Sequence, residues 1–350
     1  MRLRLLAVLA ALLISLTACS PSYHRFQAQI IGPFDTVTVF IGYAQSPAAF
    51  DRYSALVFER LEYLHQLYDI FGGYGDLNNL HTINAQAGIF PVGVSQEIVD
   101  MLTVAREAYD LTGGQTNAAL GPVLRIWHDY RAQALAEPNV AQLPSLSALE
   151  EAAAHISMAD VVIDAEKMTV FLRHQDMSLD VGSVAKGYAA GLAMDAATQA
   201  GLESALLNVG GHVVAVGSPH GRDHWNVAIQ NPEADLDGAS PAVDTIYLTD
   251  ATVSISGVHQ RFYVVDEQTF GHIIDPSTLM PANLYKQVAV IHPSSWLADV
   301  LSTALFILPQ AEGAELVAAA GAEALWIDLE GNWFATPGYQ ALSRELKDLS

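Results

Sequence analysis

The part of the sequence after residue 204 constrains the fold most strongly, because short strand-like segments follow one another there with few helices between them. These segments are residues 204–209, 213–216, 225–230, 245–248, 252–256, 261–265 and 288–291. Gly and Pro clusters separate them, as is typical of strands joined by turns. Because helices do not follow each strand in turn, the order excludes strict βαβ alternation and predicts an α+β fold, with mixed or antiparallel sheets and packed helices.

The first half of the chain has a more helical pattern. Residues 26–43 predict a strand with a kink at Gly32-Pro33, and apolar residues at helical spacing predict helices over 50–70 and 95–111. Residues 76–84 have the composition of a polar turn, and Ser147 with Glu150 predicts a capped helix that ends near residue 156. A hairpin over 161–172, a helix over 186–200 and two helices over 296–308 and 311–319 complete the prediction. We find no internal repeat.

The N-terminus predicts a lipoprotein signal rather than part of the fold. Arg2 and Arg4 precede an apolar run that is too short to span a membrane as a mature helix, and Leu16-Thr-Ala-Cys19 follows. We expect residues 1–18 to be a signal peptide, Cys19 to be lipidated and residues 20–29 to form a tether to a domain over 30–350. The mature protein would then lie on the extracytoplasmic face of a bacterial membrane, held by its acyl chains. Cys19 is the only cysteine, so no internal disulfide can form.

The charge balance excludes several classes of partner. The full chain has a formal net charge of −22 at pH 7, and removal of residues 1–18 leaves 38 acidic against 14 basic residues, a net charge of −24. Such a surface repels nucleic acid and anionic lipid headgroups. An anionic ligand would need local help from a metal ion or from backbone dipoles.

Residues 178–191 form the first stretch that suggests a site. An apolar, strand-like segment leads through Asp180 and Gly182 into an Ala-rich helical run that begins near Lys186. A turn of this kind can present a helix N-terminus to an anion, and its glycines allow a ligand to approach the backbone. Many connections with this composition bind nothing, so the pattern alone leaves both interpretations open.

Two further motifs carry groups that could do chemistry. Asp299 and Thr303 lie four residues apart in a predicted apolar helix, so they share one face and could offer hard oxygen ligands to Mg²⁺. The alternative is a solvated Asp beside an ordinary Thr. His272, in Gly271-His-Ile-Ile-Asp-Pro276, could exchange a proton near neutral pH or could be a strand-end histidine bonded to backbone.

Taken together, these motifs resemble the ApbE family of flavin transferases, which move FMN from FAD onto a protein threonine or serine. The resemblance extends over about residues 30–335. The motifs that carry it are Phe34-Asp-Thr36, Asp76-Leu-Asn-Asn-Leu80, Thr116-Asn117, Asp180-x-Gly-x-x-Ala-Lys-Gly-Tyr188, Asn208-Val-Gly-Gly211, Ser256-Gly257, His272-Ile-Ile-Asp-Pro276 and Asp299-x-x-x-Thr303.

The resemblance implies roles for individual residues. Mg²⁺ would be bound by the main-chain oxygen of Ala185 and by the side chains of Asp299 and Thr303. FAD, the substrate, would lie in a cleft between two closely packed subdomains; the residues that would line this cleft are Phe34, Asn117, Asp180, Tyr188 and Ile274. The acceptor would be a protein with a Thr or Ser flavinylation motif, and His272 would handle the proton.

The chain also departs from the family pattern. Many members have Ser-Gly-Asp-Tyr where this chain has Ser256-Gly-Val-His259, and many have a histidine at the position of Gly271. These departures affect the expected rate and acceptor choice more than the expected Mg²⁺ and FAD binding. Two alternatives therefore stay open: hydrolysis of FAD to FMN and AMP, and a non-catalytic flavin- or solute-binding lipoprotein.

Overall fold

The structure, a computed structural model, describes residues 22–234, 239–258 and 261–347. Its helices are α1 (Pro47–Tyr68), α2 (Leu80–Ala85), α3 (Gln96–Leu111), α4 (Gly121–Ala136), α5 (Leu146–Ala152), α6 (Ala185–Gln199), α7 (Ser295–Ile307), α8 (Gln310–Ala320) and α9 (Pro337–Leu342). The first strands are β1 (His24–Ile31), β2 (Val37–Ala44), β3 (Val92–Gly93), β4 (Val161–Asp164), β5 (Thr169–Leu172), β6 (Ala205–Val209), β7 (His212–Val216) and β8 (Trp225–Gln230). The remaining strands are β9 (Ala242–Leu248), β10 (Ala251–Gly257), β11 (Phe262–Val265), β12 (Gln268–Gly271), β13 (Tyr285–His292), β14 (Glu323–Asp328) and β15 (Trp333–Ala335).

An eight-stranded sheet is the centre of the fold. Its strand order is β1-β2-β6-β7-β10-β13-β14-β15, and each of these pairs is antiparallel. Short antiparallel sheets accompany it: β3-β5-β4, β8-β9 and β11-β12. The predicted α+β class is therefore confirmed, and the described strands pair only in the antiparallel sense.

The two faces of the main sheet carry different layers. On one face α1 and α6 pack on β2, β6 and β7, and α7 packs on β10 and β13. On the other face the β8-β9 hairpin and α9 cover a second apolar cluster. Successive side chains of strand β10 point to opposite faces of the sheet. Val253 and Ile255 belong to the second cluster, whereas Ser254 and Ser256 point toward α7.

A smaller unit packs beside the sheet. It consists of α4, α5 and the β11-β12 hairpin around an apolar cluster of its own. The indole Nε1 of Trp127, on α4, donates to the carbonyl of Leu279 at 2.9 Å, and its ring lies 6.4 Å from that of Tyr263 on β11. These contacts fix α4 against the chain segments on either side of His272.

The close approach of α6 to α7 depends on a residue without a side chain. A Cβ at Gly187 would lie 2.5 Å from Asp299 Cβ and 2.8 Å from the carbonyl oxygen of Ser295. No side chain fits at that distance, so glycine is required for the two helices to meet. This contact places the first turn of α6 directly beside Asp299.

Most of the predicted elements are confirmed, with some corrections. Residues 178–181 do not form a strand, because Leu179 donates to the side chain of Asn84 and Asp180 donates to the carbonyl of Ala118 instead of to a neighbouring strand. The predicted polar turn contains helix α2, which Asn79 caps with a capping box. Ser145, not Ser147, caps α5. Strands β3, β12, β14 and β15 and helix α9 were not predicted from the sequence.

The glycine contact generates a stability prediction. Alanine is normally favoured over glycine in a helix by about 1 kcal/mol, but Gly187→Ala should lower the free energy of unfolding by about 1–3 kcal/mol because the new methyl group overlaps Asp299. Gly191→Ala, on the same helix, is the matched control, since its Cβ would approach only the Ser295 side chain, with Cβ at 3.1 Å and Oγ at 3.6 Å. Urea denaturation of both variants tests this, and equal stabilities would contradict it.

Candidate active site

Asp299, on α7, is a buried carboxylate held by two donors. It is 4% exposed; its Oδ2 accepts from the backbone N–H of Gly187 at 2.7 Å, and its Oδ1 accepts from Ser254 Oγ at 2.9 Å. Lys186 Nζ is the nearest cation, 3.9 Å from Oδ1, which is beyond hydrogen-bonding distance. A carboxylate has about four lone-pair directions, so Asp299 keeps acceptor capacity that the protein does not fill.

His212 lies behind this carboxylate and is fully buried. Ser295 Oγ donates to the carbonyl of Gly187 at 2.6 Å, so it must accept from His212 Nε2, which is 2.8 Å away. The Nε2–H tautomer leaves a lone pair on Nδ1, which has no hydrogen-bond partner and lies 3.7 Å from Asp299 Oδ1. Burial lowers the pKa of His212 to about 4, so the ring is neutral at neutral pH.

Hydroxyl groups from β10 and α7 line the same region. Ser302 Oγ lies 2.9 Å from the carbonyl of Asp299, 2.9 Å from Ser256 Oγ and 3.3 Å from Ser254 Oγ. Thr303 Oγ1 makes a long contact of 3.4 Å with the Asp299 carbonyl and is only partly buried. The serines therefore satisfy one another, and the Thr303 hydroxyl is the least committed of the group.

The residues predicted to bind a metal are consistent in chemistry with Mg²⁺. Asp299 offers a buried carboxylate with spare lone pairs, Thr303 offers a weakly held hydroxyl, and Ala185 is the buried first residue of α6, two residues before Gly187. No cluster of three or more His, Cys, Asp or Glu side chains suited to a metal occurs in the described part of the chain. Mg²⁺ does not require one, because it binds through one or two carboxylates and takes its other ligands from water and phosphate oxygens.

Asp180 and Asn117 lie together at a second part of the site. Asp180 N donates to the carbonyl of Ala118 at 2.8 Å, and its Oδ1 accepts from Gly182 N at 2.9 Å. Asn117 uses its side chain to cap the short helix Ala118–Leu120 and donates from Nδ2 to the carbonyl of Ile156 at 2.9 Å. These bonds fix the two side chains in place, and one carboxylate oxygen of Asp180 carries no hydrogen bond to the described residues.

His272 follows β12 and faces three cationic side chains. Its Nδ1 lies 3.2 Å from the carbonyl of Arg261 and therefore donates to it, which leaves the Nε2 lone pair free to accept a proton. Burial first, and then the charges of Arg261, Arg131 and Lys186, lower the pKa of His272 to about 3. The imidazole is neutral at physiological pH and would accept a proton more readily beside a bound anion, which opposes the cations.

Phe34 is connected to His272 through Arg261. Arg261 Nη2 donates to the carbonyl of Phe34 at 3.3 Å, and Phe34 N donates to His65 Nδ1 at 3.3 Å. Phe34 and Asp35 have φ values of 56° and 54°, a conformation that bulky side chains rarely adopt. The turn between β1 and β2 is therefore held in a strained form against the cleft.

Tyr188 and Ile274 are placed differently. Burial and the nearby Asp100 carboxylate raise the pKa of Tyr188, whose phenol faces α1 and α3 rather than the cations around His272. Ile274 is 4% exposed and packs in the apolar cluster of the smaller unit. The structure brings Phe34, Arg261 and His272 together, and Asn117 with Asp180, whereas Tyr188 and Ile274 belong to neither group. All five FAD contacts stay predictions.

Several residues of this site were not predicted from the sequence. His212, Ser295 and Ser254 hold Asp299 or its helix, and Arg131 supplies charge. The alternating Ser254-Ile-Ser256 pattern on a buried strand was a usable signal, because a buried polar face needs partners. His212 gave no signal, since its partners lie more than eighty residues away in the chain.

Comparison with known proteins identifies similar sequences and folds. A model of the ApbE family matches residues 36–326. An FAD:protein FMN transferase of Treponema pallidum is 32% identical, over 80% of this chain and 77% of that protein, and one of Klebsiella pneumoniae is 30% identical, over 66% and 68%. The solved ApbE protein of Thermotoga maritima has a TM-score of 0.79 at 24% identity, and covers 92% of this chain and 100% of its own. The flavinyl transferase ApbE of Pseudomonas stutzeri has a TM-score of 0.75 at 22% identity, over 92% of this chain and 96% of its own.

The buried His212 generates a prediction of pH dependence. Its folded pKa of about 4 lies below the ordinary value of 6.5, so the unfolded chain binds the proton first, and stability falls as pH decreases from 6.5 toward 4. His212→Gln should remove this contribution, and the loss of unfolding free energy between pH 7 and pH 4.5 should be smaller by about 2 kcal/mol. Urea denaturation at both pH values measures it. Equal losses in the two proteins would contradict the assignment.

Proposed function

The chain belongs to the ApbE family, and from this premise we propose that it transfers FMN from FAD to a Ser or Thr hydroxyl of an acceptor protein. The relatives named FAD:protein FMN transferase support the reaction class. The observation that carries the proposal is the buried Asp299, which the backbone of α6 and Ser254 hold with acceptor capacity to spare.

Mg²⁺ is the proposed metal, held by Asp299, Thr303 and the main-chain oxygen of Ala185. When bound, it supplies positive charge that offsets the charge of the FAD diphosphate. The rest of the positive charge comes from the chain itself, from Lys186, which lies 3.9 Å from Asp299 Oδ1, and from the arginines near His272.

The transfer is a substitution at the phosphorus on the FMN side. The acceptor hydroxyl oxygen forms the new P–O bond, the bond to the AMP phosphate breaks, and AMP leaves with the electron pair. We assign the hydroxyl proton to the free Nε2 of His272, whose Nδ1–H is fixed on the carbonyl of Arg261. Most of the rate enhancement should come from positioning and charge neutralisation, as is general for phosphoryl-type transfer.

In this proposal a lipid anchor on Cys19 holds the domain at the extracytoplasmic face of the membrane. Cys19 and the signal residues 1–18 lie outside the described residues. Within the part that is described, no helix is long and apolar enough to cross a membrane.

Hydrolysis of FAD is the second candidate, because water could replace the acceptor hydroxyl. Val258 and Gly271, both at departures from the family pattern, lie next to one another beside the cleft: a Cβ at Gly271 would be 3.9 Å from a Val258 methyl group. The third departure, His259, lies outside the described residues. Where many members have a histidine side chain Gly271 has none, and this leaves more room for water.

One assay separates these possibilities. The soluble domain is incubated with FAD, Mg²⁺ and a peptide that contains an Asp-x-x-Ser/Thr sequence, and the products are analysed by mass spectrometry and chromatography. Transfer predicts AMP together with a flavin-sized mass gain on the peptide. AMP without the mass gain supports hydrolysis. Tight retention of FAD with neither product would contradict both enzymatic functions and leave a flavin-binding protein.

The metal assignment has its own test. Asp299→Asn keeps the shape of the side chain but loses its charge, so Mg²⁺-dependent release of AMP should fall at least 100-fold, about the loss seen when one electrostatic group is removed from an active site. Asp110→Asn, an exposed carboxylate on α3, is the control and should keep full activity. Full activity in the Asp299 variant would remove the metal site from this helix.

A further inference from the structure

Strand β1 is an edge of the eight-stranded sheet, and it ends in exposed apolar residues. Among the described residues it pairs only with β2, in a register that ends with Ile31 opposite Val37. Ile31 is 77% exposed and Val37 is 49% exposed. Every second residue of an edge strand directs its N–H and C=O groups outward, and charge, proline or a bulge usually protects such an edge. The last residues of β1 have none of these, so they offer free backbone groups beside an apolar pair.

A groove of about 480 Å³ is lined by this end of β1 and by α1. Its apolar wall comes from the strand, the turn that follows it and the helix: Ile30, Ile31, Pro33, Phe58 and Tyr63. Phe58 and Tyr63 pack on the apolar cluster beneath α1 and stay only partly buried. The groove therefore places uncovered apolar surface directly beside an unpaired strand edge.

Two glutamates on α1 give the groove negative charge. Glu59 and Glu62 both line it, lie about one helical turn apart and are exposed. Glu62 Oε1 accepts from Gln66 Nε2 at 3.5 Å, and neither carboxylate forms an ion pair with a described residue. Arg60, between them in sequence, pairs with Glu97 instead. In a chain of net charge −22, this surface favours a cationic partner.

The groove ends at the turn that leads to the proposed proton acceptor. Pro33 lines the groove, and the next residue, Phe34, donates from its backbone N–H to His65 Nδ1 at 3.3 Å. The Phe34 carbonyl accepts from Arg261 Nη2 at 3.3 Å, and the Arg261 carbonyl lies 3.2 Å from His272 Nδ1. A polypeptide that leaves the groove at this turn would therefore pass directly into the cleft.

The two faces of β1 indicate which side chains such a polypeptide would carry. Phe26 and Ala28 pack toward α1, so alternation turns Ile31 to the opposite face. A strand added beside β1 would alternate in the same way. Its basic side chains could lay their aliphatic stems on the groove wall and reach the glutamates with their charged ends, while apolar side chains on the other face cover Ile31.

We propose that the groove and the free edge of β1 bind the acceptor protein, through an extended segment that adds to the sheet as a ninth strand. The segment would alternate basic and apolar residues and lie next to the Ser or Thr that receives FMN. A polypeptide suits the site because an edge strand is completed by a second row of peptide groups. The inference deepens the proposed function and rests on it for the identity of the partner.

Peptide binding to the soluble domain tests the inference without FAD. The probe is a fluorescent peptide in which an Asp-x-x-Ser/Thr sequence is flanked on both sides by Lys-Val-Lys-Val, and anisotropy at low ionic strength measures its affinity. The double variant Glu59→Lys/Glu62→Lys should weaken binding about tenfold. The matched control is Glu312→Lys/Glu315→Lys, which reverses two exposed glutamates of the same spacing on α8. Because α8 packs on β14, near the opposite edge of the sheet, this control should change the affinity little.

A second peptide separates strand addition from general attraction between charges. It has the same side chains, but every flanking residue is N-methylated, so it cannot donate backbone hydrogen bonds to the edge of β1. It should bind the wild-type domain about tenfold more weakly or worse. Ile31→Ser should also weaken binding of the unmethylated peptide, because it removes exposed apolar surface at the end of the strand.

The outcomes separate this inference from the proposed function. If binding depends on the glutamates and on the peptide N–H groups but the domain releases no AMP from FAD, the groove stands and the transferase proposal fails. Equal affinity of the wild type and the Glu59/Glu62 variant, or of the two peptides, would overturn the inference even if FMN is transferred. A domain that binds no peptide and forms dimers that Ile31→Ser dissociates would also overturn it, because a second copy would then cover the edge.

Discussion

The hydrogen bond from Gly187 N–H to Asp299 Oδ2 is the interaction on which the site depends. It joins residues 112 apart in sequence and holds a buried charge at the start of a helix, where unpaired backbone N–H groups and the helix dipole favour an anion. Only glycine allows the two helices to approach this closely. The contact between the two helices brings three parts of the site together: the first turn of α6, the hydroxyls of β10 and the Asp299–Thr303 face of α7.

Charge is distributed unevenly between the chain as a whole and the site. The chain as a whole is strongly acidic, so a free anion is repelled until it reaches the cleft. There Lys186, Arg131 and Arg261 lie close enough together to lower the pKa of His272. An anionic ligand would relieve that repulsion, and its binding would bring the imidazole nearer to the range in which it can accept a proton. In the proposed reaction, charge neutralisation and proton transfer would be coupled through the same three cations.

Local patterns in the sequence predicted most elements and the main motifs. Helix α1 and the strands from β6 to β10 have clear periodicity, and Asp299 with Thr303 was recognisable from its spacing on an apolar helix. The residues around Asp180 were wrongly predicted to form a strand. Their backbone N–H groups bond to the Asn84 side chain and the Ala118 carbonyl, and no local sequence pattern indicates these contacts. His212 and Arg131 escaped notice for the same reason, since their significance comes from groups distant in sequence.

A crystal structure of the protein with Mn²⁺ in place of Mg²⁺, together with FAD, tests the central claim most directly, because manganese is located by its anomalous scattering. We predict one strong peak within about 2.5 Å of an Asp299 carboxylate oxygen, with the Thr303 hydroxyl and the Ala185 carbonyl as further ligands and the FAD diphosphate on its open side. A manganese ion bound elsewhere, or FAD bound with no metal beside Asp299, would contradict the account.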